Sequence, residues 1–160
     1  MKKTKASPSG FSYRNYFREI NVLNDLQMKP QEKRWLAKPP RQPQPTEVVL
    51  YLGCNVLRAA HLVQTVTDIF DLLGTEYVAV GGAAYCCGVV YHGNKDYDSA
   101  EKFGSSTISH FEQFKPQRVL MWCPSCIYYY DQIMAMQTPF KIRHVSEFLA
   151  ENLGRLTFTV

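Results

Sequence analysis

The chain has 160 residues, of which 46% are hydrophobic and 20% are charged, a composition typical of a globular protein. No apolar run approaches the roughly 20 residues that a membrane-spanning helix needs, and no apolar h-region follows the basic N-terminus. We therefore expect neither a membrane span nor a secretory signal. The expected location is cytoplasmic, where the five cysteines would stay as thiols.

Positive charge is concentrated at the N-terminal end. Residues 1–46 carry ten Lys and Arg against three Asp and Glu, a net charge of +7, whereas residues 47–160 carry a net charge of −3. Four prolines between Pro39 and Pro45 mark the end of the basic segment. We predict a basic, Pro-rich and largely extended tail over residues 1–46, with a short helix near residues 13–26. Because the tail forms no recognisable nucleic-acid module, we expect no nucleic-acid partner.

After this boundary, strand-like and helix-like segments alternate four times, which predicts an α/β fold: a four-stranded, mostly parallel sheet flanked by helices. The predicted strands are VVLYLG at 48–53, EYVAVGG at 76–82, RVLMW at 118–122 and FKIRHV at 140–145. The predicted helices are residues 56–73, 98–114, 124–136 and 146–154. We expect Asp98 to be the N-cap of the second helix and Ser146 that of the fourth. Residues 47–160 are thus predicted to form a single domain.

All five cysteines come directly after predicted strands. Cys54 follows the first strand, Cys86 and Cys87 follow the second, and Cys123 and Cys126 follow the third. The carboxyl ends of parallel strands form the edge where open α/β sheets bind ligands. We therefore expect the five thiols to converge at that edge.

The local sequence favours metal binding. Pro124 predicts a helix start that makes Cys123 the N-cap, and a helix N-terminus favours the thiolate, the form that binds metal. A turn loosened by Gly88 can aim both adjacent thiols at one polymetallic centre, whose positive charge removes their mutual repulsion. Five thiolates exceed the four ligands of a zinc ion, whereas iron–sulfur clusters are held by cysteine thiolates. Zinc with one bystander thiol, and a metal-free CxxC redox pair at Cys123 and Cys126, remain open alternatives.

The full spacing is Cys54-x31-Cys86-Cys87-Gly88-x34-Cys123-x2-Cys126. With "YLGCN", "CCG" and "WCPSC", it resembles the CCG domain, the cysteine-rich domain found in heterodisulfide reductase and in the iron–sulfur subunits of glycolate oxidase and lactate-utilisation complexes. The resemblance covers residues 48–150. It implies that all five cysteines ligate a 4Fe-4S cluster, which in heterodisulfide reductase is an unusual non-cubane form. Some members of the family carry zinc at one of their motifs instead.

The resemblance also implies a function and partners. It predicts a component of a heterodisulfide-reductase-like oxidoreductase that carries electrons through the five-cysteine site. Residues 1–47 contain no cysteine, so electrons should come from a flavin- or ferredoxin-type subunit, and any membrane association should run through such partners. The best-known relatives carry two CCG motifs and this chain has one, so we expect a chain truncated before a second repeat or a second CCG domain on another subunit.

His92, five residues after Cys87, is a candidate for supplying a proton or a hydrogen bond to a cluster sulfur, and a plain loop histidine is the alternative. Two other functions stay open for the chain as a whole. One is a zinc-stabilised docking module without redox activity that contacts its partner through the basic tail. The other is a thiol–disulfide exchanger that works through Cys123 and Cys126.

Overall fold

The computed structural model of the chain describes residues 9–157. Within them lie four strands: β1 (Val48–Gly53), β2 (Tyr77–Gly81), β3 (Arg118–Met121) and β4 (Lys141–His144). The same residues form six α-helices: α1 (Tyr13–Gln27), α2 (Ala60–Leu72), α3 (Val89–Gly93), α4 (Tyr97–Glu112), α5 (Pro124–Tyr128) and α6 (Val145–Asn152). None of the helices in this described part is long and apolar enough to cross a membrane.

The strands form one parallel sheet in the order β2-β1-β3-β4, which confirms the predicted α/β class. Val48 at the start of β1 pairs with Tyr77 of β2 on one side and with Arg118 of β3 on the other. All six residues of β1 are buried, as the continuous apolar run of this central strand requires. Because the chain crosses from one side of β1 to the other between β2 and β3, the carboxyl edge above β1 is a topological switch point, where sheets of this kind bind ligands.

The N-terminal segment contains the predicted helix and lies against the rest of the chain. Helix α1 has 15 residues, begins at the N-cap Ser12 and buries Ile20 to 1% exposure. Beyond it, the backbone around Leu36 runs parallel to β2. The Leu36 N–H donates to the Ala79 carbonyl at 2.8 Å, and the Gly81 N–H donates to the Leu36 carbonyl at 3.1 Å. We call residues 35–37 the strap, because they cover the outer edge of β2.

Two predicted N-caps are wrong by two residues. Helix α4 begins after Asp96, whose side chain accepts a hydrogen bond from the Ser99 N–H at 3.3 Å, while Asp98 lies inside the first turn. Helix α6 begins after His144, whose Nδ1 accepts from the Ser146 N–H at 3.2 Å. In both cases the chain becomes helical earlier than the sequence pattern indicated, and the residue that precedes the first turn provides the acceptor.

Candidate metal centre

The ends of three neighbouring strands bring the five cysteines together at the carboxyl edge of the sheet. Cys54 follows β1 directly, and Cys86 and Cys87 follow a 3₁₀ turn that comes after β2. As predicted, Pro124 is the first residue of α5 and Cys123 is its N-cap. All five thiols are free. Four of them are no more than 8% exposed, and Cys123 is half-buried.

The thiols interact as neighbours in a continuous row, in the order Cys54, Cys86, Cys87, Cys126, Cys123, which we call the thiol row. Cys86 interacts with Cys54, which follows β1, and with its own neighbour Cys87. Cys126 interacts with Cys87 and with Cys123, the N-cap of α5. Every one of the three strand ends therefore contributes to the row, and no cysteine lies outside it.

The pKa values of the thiols alternate along the row. Hydrogen-bonding interaction with Cys86 lowers the pKa of Cys54, and interaction with Cys126 lowers the pKa of Cys87. The Cys126 thiol and the backbone N–H groups at the start of α5 lower the pKa of Cys123 to about 6. The two donors, Cys86 and Cys126, have raised pKa values because they hold their protons against these neighbours and are buried. Neighbouring thiols in the row therefore differ in how readily they lose a proton.

The thiol row is not a preformed site for a single metal ion. In the part of the chain that the structure describes, no group of three or more His, Cys, Asp or Glu side chains is arranged to hold a metal ion. A polynuclear core makes a different demand, since each of its metal atoms takes only one or two thiolates from the protein. A row of five thiols, four of them buried, suits such a core better than a single tetrahedral ion, which has four ligands.

Glycine and threonine fix the turn that presents the adjacent pair. Gly88 has φ +96°, in the left-handed region, and its N–H donates to the Cys86 sulfur at 3.5 Å. The buried Thr107 of α4 donates through its hydroxyl to the Cys86 carbonyl at 2.9 Å. A side chain at Gly88 would collide with α4, since its Cβ would lie 2.2 Å from the Ala100 carbonyl oxygen. The pair is therefore held against α4 at close range.

Tyrosine rings surround the thiol row. Burial, followed by the charge of neighbouring cysteines, raises the pKa of each of five tyrosines, Tyr16, Tyr51, Tyr91, Tyr129 and Tyr130. Tyr51 lies beneath the row, and its hydroxyl donates to the Tyr85 carbonyl at 2.7 Å. Tyr129 and Tyr130 are 2% and 1% exposed, and Tyr129 begins a π-helical turn, Tyr129–Ile133, that continues α5. These rings keep water away from four of the five sulfurs.

The sequence indicated only part of this surround. Tyr129 and Tyr130 stand beside the WCPSC motif, where proximity in sequence could point to them. Tyr16 lies 38 residues before Cys54, and nothing in its neighbourhood in the sequence marks it. The ring of His92 lies between those of Tyr97 and Tyr129, with centroids 5.1 and 5.6 Å away, and makes no hydrogen bond to a cysteine within residues 9–157. Its role beside a cluster stays a prediction, as does metal ligation by the five cysteines.

Comparison with known proteins gives one match. Residues 48–129 match the family CCG, described as a cysteine-rich domain, and this range contains all five cysteines but neither α1 nor the strap. Comparisons with curated proteins and with solved structures found no match. The matched range covers just over half of the chain, and its five-cysteine site is consistent with the binding of a metal or a cluster. The chain therefore belongs to the CCG family of cysteine-rich domains.

Proposed function

We propose that the protein binds an iron–sulfur cluster through the thiol row and carries electrons as a component of a heterodisulfide-reductase-like oxidoreductase. The observation that supports this proposal most is the thiol row itself: five thiols from three strand ends interact with one another, and four of them are buried. A redox or structural role for one CxxC pair would leave the other three thiols without a purpose. A polynuclear core uses all five.

The chemistry of the donor set fits this group. Cys54, Cys87 and Cys123 have lowered pKa values, which favours the thiolate that binds metal, and a positive core would favour loss of the protons of Cys86 and Cys126 as well. The Gly88 N–H donates to a sulfur of the row and the surrounding tyrosine rings exclude water. Both are means by which a protein sets the potential of a cluster.

Burial along the row also suggests where electrons enter and leave. When bound, an iron–sulfur cluster supplies one-electron transfer. Cys123 is the half-buried end of the row, and it follows the partly exposed Trp122. We place the contact with an electron-donating flavin- or ferredoxin-type subunit at this end. A second CCG domain on another subunit would approach from the same side.

Anaerobic purification followed by analysis of iron, acid-labile sulfide and zinc tests the proposal. We expect about four iron and four sulfide per chain, as in a four-iron cluster, with an EPR signal that appears or disappears on reduction. Each of five single Cys→Ser variants should lose most of its iron, and Ser125→Ala, between two of the cysteines, should keep it. Zinc without sulfide, with one Cys→Ser variant unaffected, would favour the zinc-stabilised docking module.

One observation favours a second candidate, the thiol–disulfide exchanger. Cys123 is the most accessible thiol, caps a helix and has a pKa lowered to about 6 by its neighbours, as the attacking thiol of a CxxC pair would. This function needs no metal. If the metal-free protein reduces a model disulfide at the same rate after exhaustive chelation, and Cys54→Ser has no effect on that rate, the exchanger replaces the cluster protein as the better explanation.

A further inference from the structure

Helix α1 is attached to the segment that follows Cys54 by polar contacts from one helix face. The Asn24 side-chain amide donates to the Leu57 carbonyl at 2.9 Å, and Asn24 is only 4% exposed. One turn later, Gln27 donates to the Arg58 carbonyl at 2.7 Å and accepts from the Ala60 N–H at 3.2 Å. Side chains three or four residues apart share a helix face, so the residues two turns earlier also face this segment.

Tyr16 lies on that face and reaches the first cysteine of the thiol row. Its hydroxyl oxygen is 3.9 Å from the Cys54 sulfur. The guanidinium of Arg58 lies over the Tyr16 ring, 5.4 Å from its centroid. It also forms an ion pair with Glu19, which lies on α1 like Tyr16. Arg58, four positions beyond the cysteine, therefore covers the Tyr16 ring and links α1 to the segment that follows Cys54.

An aromatic layer continues from α1 across the outer side of the site. The ring centroids of Tyr13 and Tyr91 are 4.1 Å apart, and Tyr91 stacks on Phe103 of α4 at 4.6 Å. Phe11 packs on Tyr13 and on Tyr16, at 5.3 and 5.7 Å. The N-terminal segment thus covers the Cys54 end of the row with rings, while the Cys123 end stays half-buried.

We propose that Tyr16 is a positioning residue of the metal centre, which donates a hydrogen bond to the Cys54 sulfur. The inference rests on the proposed function, because a thiolate bound to metal carries no proton and the tyrosine hydroxyl is then the only possible donor of the pair. The hydrogen bond orients the sulfur and partly neutralises its charge. Hydrogen bonds to ligand sulfurs favour the more negative, reduced state of a cluster, so Tyr16 raises its reduction potential. Tyr16 lies outside the residues that match the family.

Tyr16→Phe tests this role because it removes only the hydroxyl and keeps the ring under the Arg58 guanidinium. The matched control is Tyr97→Phe, at a tyrosine that is 57% exposed. In the first measurement, cobalt(II) is titrated into metal-free protein and thiolate-to-metal charge-transfer absorption is recorded. We expect Tyr16→Phe to weaken cobalt binding about 10-fold, the lower end of the range for loss of a partner of a metal ligand, and Tyr97→Phe to leave it unchanged.

In the second measurement, EPR-monitored redox titration of the iron-loaded protein should give a more negative midpoint potential for Tyr16→Phe alone. Equal cobalt affinities and equal potentials for the two variants would overturn the proposal, provided that urea unfolding shows both to be folded. The two proposals fail in different ways. If the wild-type chain takes up no iron and sulfide, the proposed cluster is wrong, and the cobalt titration still decides the role of Tyr16. If the wild-type chain binds neither an iron–sulfur cluster nor cobalt(II), both proposals are wrong.

Discussion

Replacement of Gly88 by alanine should destabilise the protein through two separable effects. The backbone at Gly88 has φ +96°, and a side chain in the left-handed region costs about 1–2 kcal/mol. The new Cβ would also lie 2.2 Å from the Ala100 carbonyl oxygen and 3.0 Å from its carbonyl carbon. These are backbone atoms of α4 that cannot rotate away, so the turn or the helix must shift, at a cost of about 1–3 kcal/mol for overpacking. The expected loss is about 2–5 kcal/mol, a large part of the total for a domain of this size.

Gly74→Ala is the matched control for this substitution. Gly74 has φ +63°, yet nothing lies within 4 Å of a Cβ built there, so alanine adds strain without a collision. Urea unfolding of the metal-free, reduced proteins gives the free energy of unfolding of each without interference from metal. We expect the Gly88→Ala protein to be at least about 1 kcal/mol less stable than Gly74→Ala, the lower end of the overpacking cost. Equal losses would show that the close approach of the turn to α4 contributes nothing.

Three further predictions concern the helices around the site. Thr107→Val should lower the free energy of unfolding, measured in urea, by about 1–3 kcal/mol, because it leaves the buried Cys86 carbonyl without its donor. Thr65→Val is the control: it loses an exposed hydrogen bond within α2, and its free energy of unfolding should stay within about 0.5 kcal/mol of the unchanged protein. Burial lowers the pKa of His110, so the unfolded chain takes up a proton first as pH falls. Stability should therefore decrease below about pH 6.5, and His110→Phe should flatten that part of the profile; superimposable profiles would contradict this. Asp96→Ala should lower the free energy of unfolding in urea by about 1 kcal/mol, because α4 loses its N-cap, and Asp98→Ala should lower it by clearly less. The reverse order would show that Asp98 is the N-cap.

The convergence of the cysteines could be predicted because it follows from topology. A parallel sheet places every strand end at one edge, so a cysteine after each of three strands reaches that edge whatever the loops do. The role of Cys123 as an N-cap was also readable, because Pro124 lacks an N–H and is favoured in the first turn of a helix. The first inference needs only the order of strands and cysteines along the chain, and the second only a local rule of helix starts.

The remaining features depend on contacts between distant parts of the chain. Asp96 and Asp98 are both good N-caps by residue type, so the local sequence does not distinguish the Asp96 cap that the structure has. Contact between Tyr16 and Cys54 needs α1 to fold back over the sheet edge, and no periodicity within either segment encodes that path. The π-helical turn at Tyr129–Ile133 adds one residue to a helical repeat, which hydrophobic periodicity cannot distinguish from a regular helix.

The strap has a consequence for how the molecule meets its neighbours. A bare β2 would offer unpaired backbone groups to any extended peptide, and Leu36 already occupies them. The opposite border, β4, is four residues long and exposes the charged side chains of Lys141 and Arg143, which discourage the same kind of association. A chain trimmed to the family-matched residues 48–129 would lack the strap, which leaves the edge of β2 unpaired, and would lack β4, which leaves β3 as the other edge strand. Such a fragment should self-associate through the exposed edges of its sheet. In the 160-residue chain the strap covers one edge, and the charged strand β4 forms the other.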